Sequence, residues 1–490
     1  MNKSISASTK LLSLTSRHWL LIFAFPCAFG LGIFGTQNLG LSLIVIALVM
    51  GLLVFRMKFR TESLLPTTSV VRFHWPSFFF PWAIALQMYS QIIFVLVLIL
   101  LIAGTLLQRG QPIVNLHVGP LMLLFASTVI AFRTENPKTL IASLLIFTLI
   151  YRLIKTVKTQ DLVRSTINGY GFYCFANVAA FYAGLTSPSA AVRIGGLTET
   201  SGFTRVIFPF SENLNSLPIL AAFVCLAVLL SLTNETIVKN RLRYVWLTSA
   251  VFILYNSGNR SSAIILALLL LLLVIPIRFS RLTANLVTPF AIISSILLPL
   301  LSAQIAKVAV PLSSLLSSKR DALNAESFSF QGRTVIWERS VEFWRLWINE
   351  PFHQLFGYGL NGQNTSGATQ AYADLLRTIS LNYELSTVHN SFLQQLYNGG
   401  LVGVIFFASS SIWALRRLSS ALSSKNLTGL ITCSGLIMLH LFGTQEALLA
   451  PSNSSQPFWA LAILIAISCQ IVDRDEPAGF IPQRMSSTQS

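Results

Sequence analysis

Charge is the first thing this sequence is short of. Only 10% of its 490 residues are Asp, Glu, Lys or Arg, whereas 53% are hydrophobic, and a chain so poor in charge cannot clothe a surface that faces water on all sides. Acidic residues are the scarcer kind, 17 against 34 basic, which leaves a formal charge of +17. Cysteine is rare as well: Cys27, Cys174, Cys225, Cys433 and Cys469 stand far apart inside apolar stretches, without the spacing of a disulfide framework or a zinc site. They read as small core residues. The sequence contains no GxxxxGK[ST], HExxH or GxSxG pattern, which leaves P-loop nucleotide, zinc-protease and serine-hydrolase chemistry without support. The basic residues are scattered between apolar segments rather than gathered with base-stacking aromatics, which argues against a nucleic-acid partner and for loops that obey the positive-inside rule.

What is abundant is long apolar runs. They recur at about 19–36, 39–55, 83–107, 118–133, 139–154, 166–185, 216–233, 243–257, 261–278, 283–303, 391–415, 427–443 and 455–472, each near the length that crosses a bilayer as a helix. The fold class expected is an all-α polytopic membrane protein. Lys239, Arg241 and Arg243, then Arg278 and Arg281, then Arg416, Arg417 and Lys425, then Arg474 and Arg484 mark cytoplasmic segments. The stretches around Arg260, at 304–390, at 444–454 and at 186–215 are thereby assigned outside. Lys3, Lys10 and Arg17 mark the first run as an uncleaved anchor. This N-terminus and the Arg56–Arg72 loop also belong inside, which demands an even number of crossings where the list has thirteen. The 32-residue apolar run from Pro76 to Leu107, or its neighbour at 118–133, is where a reversal is hidden. The count expected is therefore about 12–14 helices with both termini cytoplasmic. The organisation is an N-terminal bundle at 1–303, a large outer loop at 304–390, C-terminal membrane helices at 391–472 and a cytoplasmic tail at 473–490.

A loop as long as 304–390 is rarely a mere connection. Inside it "GRTVIWERSVEFWRLWINEP" places apolar residues at 337, 341, 344 and 348, a helical spacing that Pro351 ends before the turn-rich "GYGLNGQNTSG". Trp337, Trp344 and Trp347 suit a helix lying on the outer lipid surface, and they suit equally a helix packed into a small loop domain.

Three polar positions at the outer face stand out. Arg260 in "YNSGNRSSAI" sits where the positive-inside rule disfavours arginine, and its guanidinium matches a phosphate oxygen pair; the plainer reading is an ordinary loop arginine. Arg333 follows Gly332 at the start of the amphipathic helix, where a helix N-terminus and a guanidinium together favour an anion such as pyrophosphate. His389 opens "HNSFLQQLYNGGLVG", with Asn390 or Ser391 placed to cap the next helix. On an unbroken helix positions 389, 393, 396, 400 and 403 share one side, so Gly400 and Gly403 would continue the face of His389 as a groove or a packing surface. An imidazole there is suited to take a proton from a hydroxyl, or is simply a hydrogen-bonded interface residue. Glu338, Glu342, Asp374 and Glu384 form no DxD-type metal pair and read as solvated or ion-paired.

Together these features resemble the O-antigen ligase and O-antigen polymerase superfamily. The ligase signature H[NSQ]-x9-GxxG is met by His389, Asn390, nine residues and Gly400-Leu401-Val402-Gly403. An arginine in a short outer loop is matched by Arg260 in "SGNR", which departs from the usual Ser-Arg pairing, and one about 50 residues before the histidine by Arg333 in "GRTVIWERS". The resemblance implies a GT-C-like helical fold. It also implies a metal-independent glycosyltransferase with no cofactor, acting at the periplasmic face of the bacterial inner membrane. Its donor would be a glycan on undecaprenyl diphosphate and its acceptor lipid A-core or, in a polymerase, a growing glycan. It assigns acceptor activation to His389, diphosphate binding to Arg260 and Arg333, and a supporting groove or packing role to Asn390, Gly400 and Gly403, with Trp337 and Trp344 lining a lipid entrance. A transporter of lipid-linked sugars, which would carry charges within its spans and inverted repeats, fits less well.

Overall fold

The computed structural model describes residues 74–107, 118–187, 206–231, 240–274, 289–301, 333–373, 387–421, 426–451 and 455–472, with short breaks. The first two expected spans, the segment 302–332 and the tail lie outside the described residues. Among the described residues all regular structure is helical. The main helices are α1 (Trp75–Leu86), α2 (Gln91–Leu107), α3 (Val118–Arg133), α4 (Pro137–Thr156), α5 (Thr159–Tyr182), α6 (Ser216–Ser231), α7 (Asn240–Asn256), α8 (Arg260–Val274), α9 (Arg333–Trp347), α10 (Pro351–Phe356), α11 (Ser391–Ala421), α12 (Leu427–Gly443) and α13 (Gln456–Val472). Every residue of α6 is buried, as expected of a helix that is apolar on all sides. The outer helices do the opposite of a soluble protein's. In α2, Phe94, Leu98 and Leu101 face inward while Ile92, Leu96 and Leu100 stand exposed, and Phe125, Phe132, Leu401 and Ile405 are exposed on α3 and α11. A continuous apolar exterior of this kind suits a lipid solvent. Two helices, α4 and Ser391–Ser419 within α11, are long and apolar enough to cross a bilayer, although the second tally runs across a break at Gly400.

Two expectations are corrected. The run at 83–107 is not one helix: α1 ends at Leu86 and α2 begins at Gln91, and the ring of Trp75 at the start of α1 fills the space beside Gly104 near the end of α2, so the two run antiparallel. His74 caps α1 by accepting from the Ser77 amide through Nδ1 at 3.3 Å. It falls within the Pro76–Leu107 run where the parity of the basic segments expected a reversal; the first two spans of that count lie outside the described residues. The second correction is α11, where Gly400 takes φ 65° and ψ −165°. The chain folds sharply there, bringing Phe407 against Phe392 with ring centroids 5.1 Å apart, whereas fifteen residues of straight helix would separate them by about 22 Å. Gly400 and Gly403 therefore do not extend a face begun by His389. The Gly400 turn exposes backbone carbonyls that an intact helix would use: Tyr397 O accepts from Tyr358 N and Asn398 O from Gly359 N, each at 2.9 Å.

The amphipathic helix appears as α9. Trp337 is fully buried and Trp344 lies edge-on to Tyr397 at 5.5 Å. With Ile336, Ile348, Tyr372, Val388 and Leu393 they form a second core, distinct from that of the bundle. The loop-domain reading holds, and Trp337 lines no lipid entrance. Among the described residues of this region, the large apolar side chains left exposed are Leu346, Phe352 and Leu355.

A candidate active site around His389

Four chain segments meet at one end of the bundle: 213–216 before α6, 257–262 between α7 and α8, 387–391 before α11, and 444–449 between α12 and α13. The first three are held locally by asparagine side chains that cap helix starts. Asn213 Oδ1 accepts from the Asn215 and Ser216 amides at 2.9 Å, Asn259 Oδ1 from the Ser262 amide at 3.0 Å, and Asn390 Oδ1 from the Leu393 amide at 2.9 Å. The segments are then tied to each other. Asn390 Nδ2 donates to Thr444 O at 3.1 Å, Ser391 Oγ to Glu446 O at 2.5 Å while accepting from Leu449 N at 3.1 Å, and Ser261 Oγ to Gln445 Oε1 at 2.6 Å. Trp337 Nε1 donates to Val388 O at 2.9 Å, which fixes the peptide preceding His389 to the loop domain. His389 itself adopts φ +50°, outside the helix that begins at Ser391.

At the centre is a residue that sequence reasoning passed over. The Glu446 carboxylate is 7% exposed as a residue and gathers three partners. Arg333 Nη2 donates to Oε1 in a close ion pair, Asn215 Nδ2 donates to the same oxygen at 2.9 Å, and His389 Nδ1 lies 3.4 Å from Oε2. Asn215 is oriented in turn by Asn259 Nδ2, which donates to its Oδ1 at 3.1 Å. Burial by itself would raise the Glu446 carboxyl, but the Arg333 guanidinium and the His389 and Asn215 bonds outweigh it and hold the group below the usual carboxylate range. The site therefore presents an anion flanked by a permanent cation and an imidazole. Glu446 carries no local signal in the sequence, because it lies in a different outer loop from His389 and outside any carboxylate pair. A search for what balances arginine in the outer loops would have reached "TQEALL", where Glu446 is the sole acidic residue.

Of the residues expected at the site, His389, Arg333 and Asn390 come together. Arg260 opens α8, and its neighbours Asn259 and Ser261 reach Asn215 and Gln445; its side chain lies outside the described part. Gly400 and Gly403 serve packing at the elbow. A Cβ on Gly400 would come within 2.3 Å of the Leu355 backbone and one on Gly403 within 2.6 Å of Gln395 Nε2. Glu338 and Glu342 are exposed, and Asp374 and Glu384 lie outside the described residues. Among the described residues no three His, Cys, Asp or Glu side chains group as metal ligands. The described cysteines, Cys174, Cys225, Cys433 and Cys469, are buried thiols outside any disulfide. A small, partly open pocket between α3, α4 and α13, lined by Ser127, Ser143 and Trp459 among others, shares no residue with the Glu446 cluster.

Residues 244–408, from α7 to just beyond Gly403, match the O-antigen ligase family. This match, over about a third of the chain, supports the resemblance to the O-antigen ligase/polymerase superfamily. The matched region contains Arg260, Arg333, His389, Gly400 and Gly403 and stops short of Glu446. Comparison with curated proteins gives no match. The match supports a membrane setting and a glycosyltransferase activity of the ligase/polymerase type on lipid-linked glycans.

Proposed function

We propose that the protein transfers a glycan from undecaprenyl diphosphate to a hydroxyl of lipid A-core at the outer face of the inner membrane. The observation that carries this reading is that His389 and Arg333, 56 residues apart, meet on one buried carboxylate at the end of the bundle where the loops assigned outside by charge converge. In the reaction the bond between the anomeric carbon and the phosphate oxygen breaks, its electron pair leaving with the diphosphate. The acceptor oxygen bonds to the anomeric carbon and gives its proton to His389 Nε2, the ring nitrogen turned away from Glu446. Arg333 and Arg260 neutralise the charge that builds on the departing diphosphate. Asn390, held between Leu393 N and Thr444 O, keeps the start of α11 in place beside the base. No cofactor or metal is required by these steps.

The test is reconstitution in liposomes with a defined polyprenyl-diphosphate-linked donor, offered lipid A-core or a second donor molecule. Product on the core supports ligation; a longer glycan still on polyprenyl diphosphate replaces this reading with polymerisation. His389→Ala should lower turnover at least about 100-fold with donor binding retained, and undiminished transfer would remove His389 from the mechanism. Arg333→Ala should instead weaken donor binding by about 10-fold or more, and Arg333→Lys should recover little of it if the contact is a two-pronged one.

A further inference from the structure

One carboxylate serves two groups to which the proposed reaction gives different substrates. Arg333, assigned to the donor's diphosphate, and His389, assigned to the acceptor's hydroxyl, both lean on Glu446, and they do so unequally. Arg333 is in close contact with Oε1, whereas His389 stands 3.4 Å from Oε2, at the long edge of a hydrogen bond. Glu446 itself is fixed: its carbonyl accepts from Ser391 Oγ at 2.5 Å and its amide donates to Phe442 O at 2.9 Å. His389 keeps 28% of its side-chain surface exposed and Arg333 13%, against 9% for Glu446, so the two partners have more room to move than the carboxylate. Asn215 also holds Oε1, at 2.9 Å, which keeps that oxygen satisfied if the guanidinium turns away.

We propose that Glu446 is a positioning residue that couples donor binding to the readiness of His389. A diphosphate competes for Arg333; as the guanidinium turns toward the phosphates, less of its positive charge falls on Glu446. The carboxylate then draws His389 Nδ1–H into a shorter hydrogen bond, which selects the tautomer whose Nε2 lone pair faces the acceptor. The 3.4 Å contact leaves room for this shortening, and contacts of catalytic groups tighten on substrate binding. Because coupling is reciprocal, donor and acceptor each favour the binding of the other. This rests on the roles given to His389 and Arg333 under the proposed function.

The test uses the full chain in lipid nanodiscs with 15N-labelled histidine, the His389 signals being assigned by their loss in His389→Gln, and inorganic pyrophosphate as the probe. Pyrophosphate should move the wild-type His389 ring signals toward the Nδ1-protonated tautomer. In Glu446→Gln it should still bind within threefold of wild type and leave those signals in place. Turnover of Glu446→Gln should fall about 10–100-fold with donor KM changed less than threefold, and Glu446→Asp should restore part of the loss. Bound pyrophosphate that leaves the wild-type His389 signals unmoved overturns the proposal without any variant, as does an equal shift in Glu446→Gln. If Arg333→Ala binds pyrophosphate as tightly as wild type, the diphosphate role of Arg333 fails instead.

Discussion

At the scale of single residues the site turns on a buried anion whose charge is compensated from three directions. Glu446 is held below the ordinary carboxylate range despite burial, so the sign of its effect on stability follows. The folded state binds the proton less readily than the unfolded chain, and the stabilisation is complete above the unfolded value, near 4.5, and is lost as pH falls through the lower folded value. Melting of the nanodisc-embedded protein should therefore drop between about pH 5 and the folded-state value, and Glu446→Gln should flatten that acid limb while lowering the melting temperature at pH 7. An unchanged acid limb in the variant would mean that other carboxylates govern it. Arg333→Ala leaves Glu446 buried without its cation, and breaking one partner of such a pair costs about 3–5 kcal/mol. The double change Arg333→Ala/Glu446→Gln should regain much of that stability and none of the donor binding. His389, Arg333 and Asn390 were all legible in the sequence because each sits beside a glycine, a helix start or a span boundary. Glu446 and Asn215 were not, since an isolated Gln-Glu or Asn between spans has no local pattern and acquires meaning only when distant loops meet.

At the scale of the helix, the elbow in α11 separates two glycines that the sequence treats alike. Gly400 has a positive φ, and an added Cβ would meet the rigid backbone of Leu355. At Gly403, with ordinary helical backbone, it would meet only the end of the Gln395 side chain. Gly400→Ala should thus cost at least about 2 kcal/mol and misplace the short segment 391–399 that follows His389, with activity falling accordingly. Gly403→Ala should cost under about 1 kcal/mol. Comparable melting temperatures for the two variants would contradict the bent geometry. Periodicity could not foresee the bend: an apolar run reads as one helix whether or not a glycine in it reverses the chain, because both halves keep the same composition. The same blindness merged α1 and α2 into one expected span, although there the charge parity signalled that a reversal was missing.

At the scale of the whole molecule, the apolar runs and the basic segments carried most of the architecture, since hydropathy reports burial in lipid or core directly. The second core around Trp337 was legible only as one of two choices, because amphipathic tryptophans suit a lipid surface and a small packed domain alike. The convergence of the loops near 215, 260, 389 and 446 at one end, opposite the basic ends of α4 and α5, gives the charge map a direct check. With the described native cysteines buried, Glu338→Cys on α9 and Lys158→Cys before α5, both at exposed positions, report the two ends. A membrane-impermeant maleimide should label Glu338→Cys in intact spheroplasts and Lys158→Cys only after permeabilisation; the reverse pattern would invert the assigned orientation.

His389 stands at φ +50°, a left-handed backbone that costs a non-glycine residue about 1 kcal/mol or more and that asparagine or glycine adopts more readily. Stability and function thus pull this one position in opposite directions. A library randomised at 389 and sorted for heat resistance alone would collect Gly and Asn and discard the histidine, whereas one sorted for surface glycan would keep it. On the proposed mechanism, the best-folded versions of this protein at that position would be inactive ones.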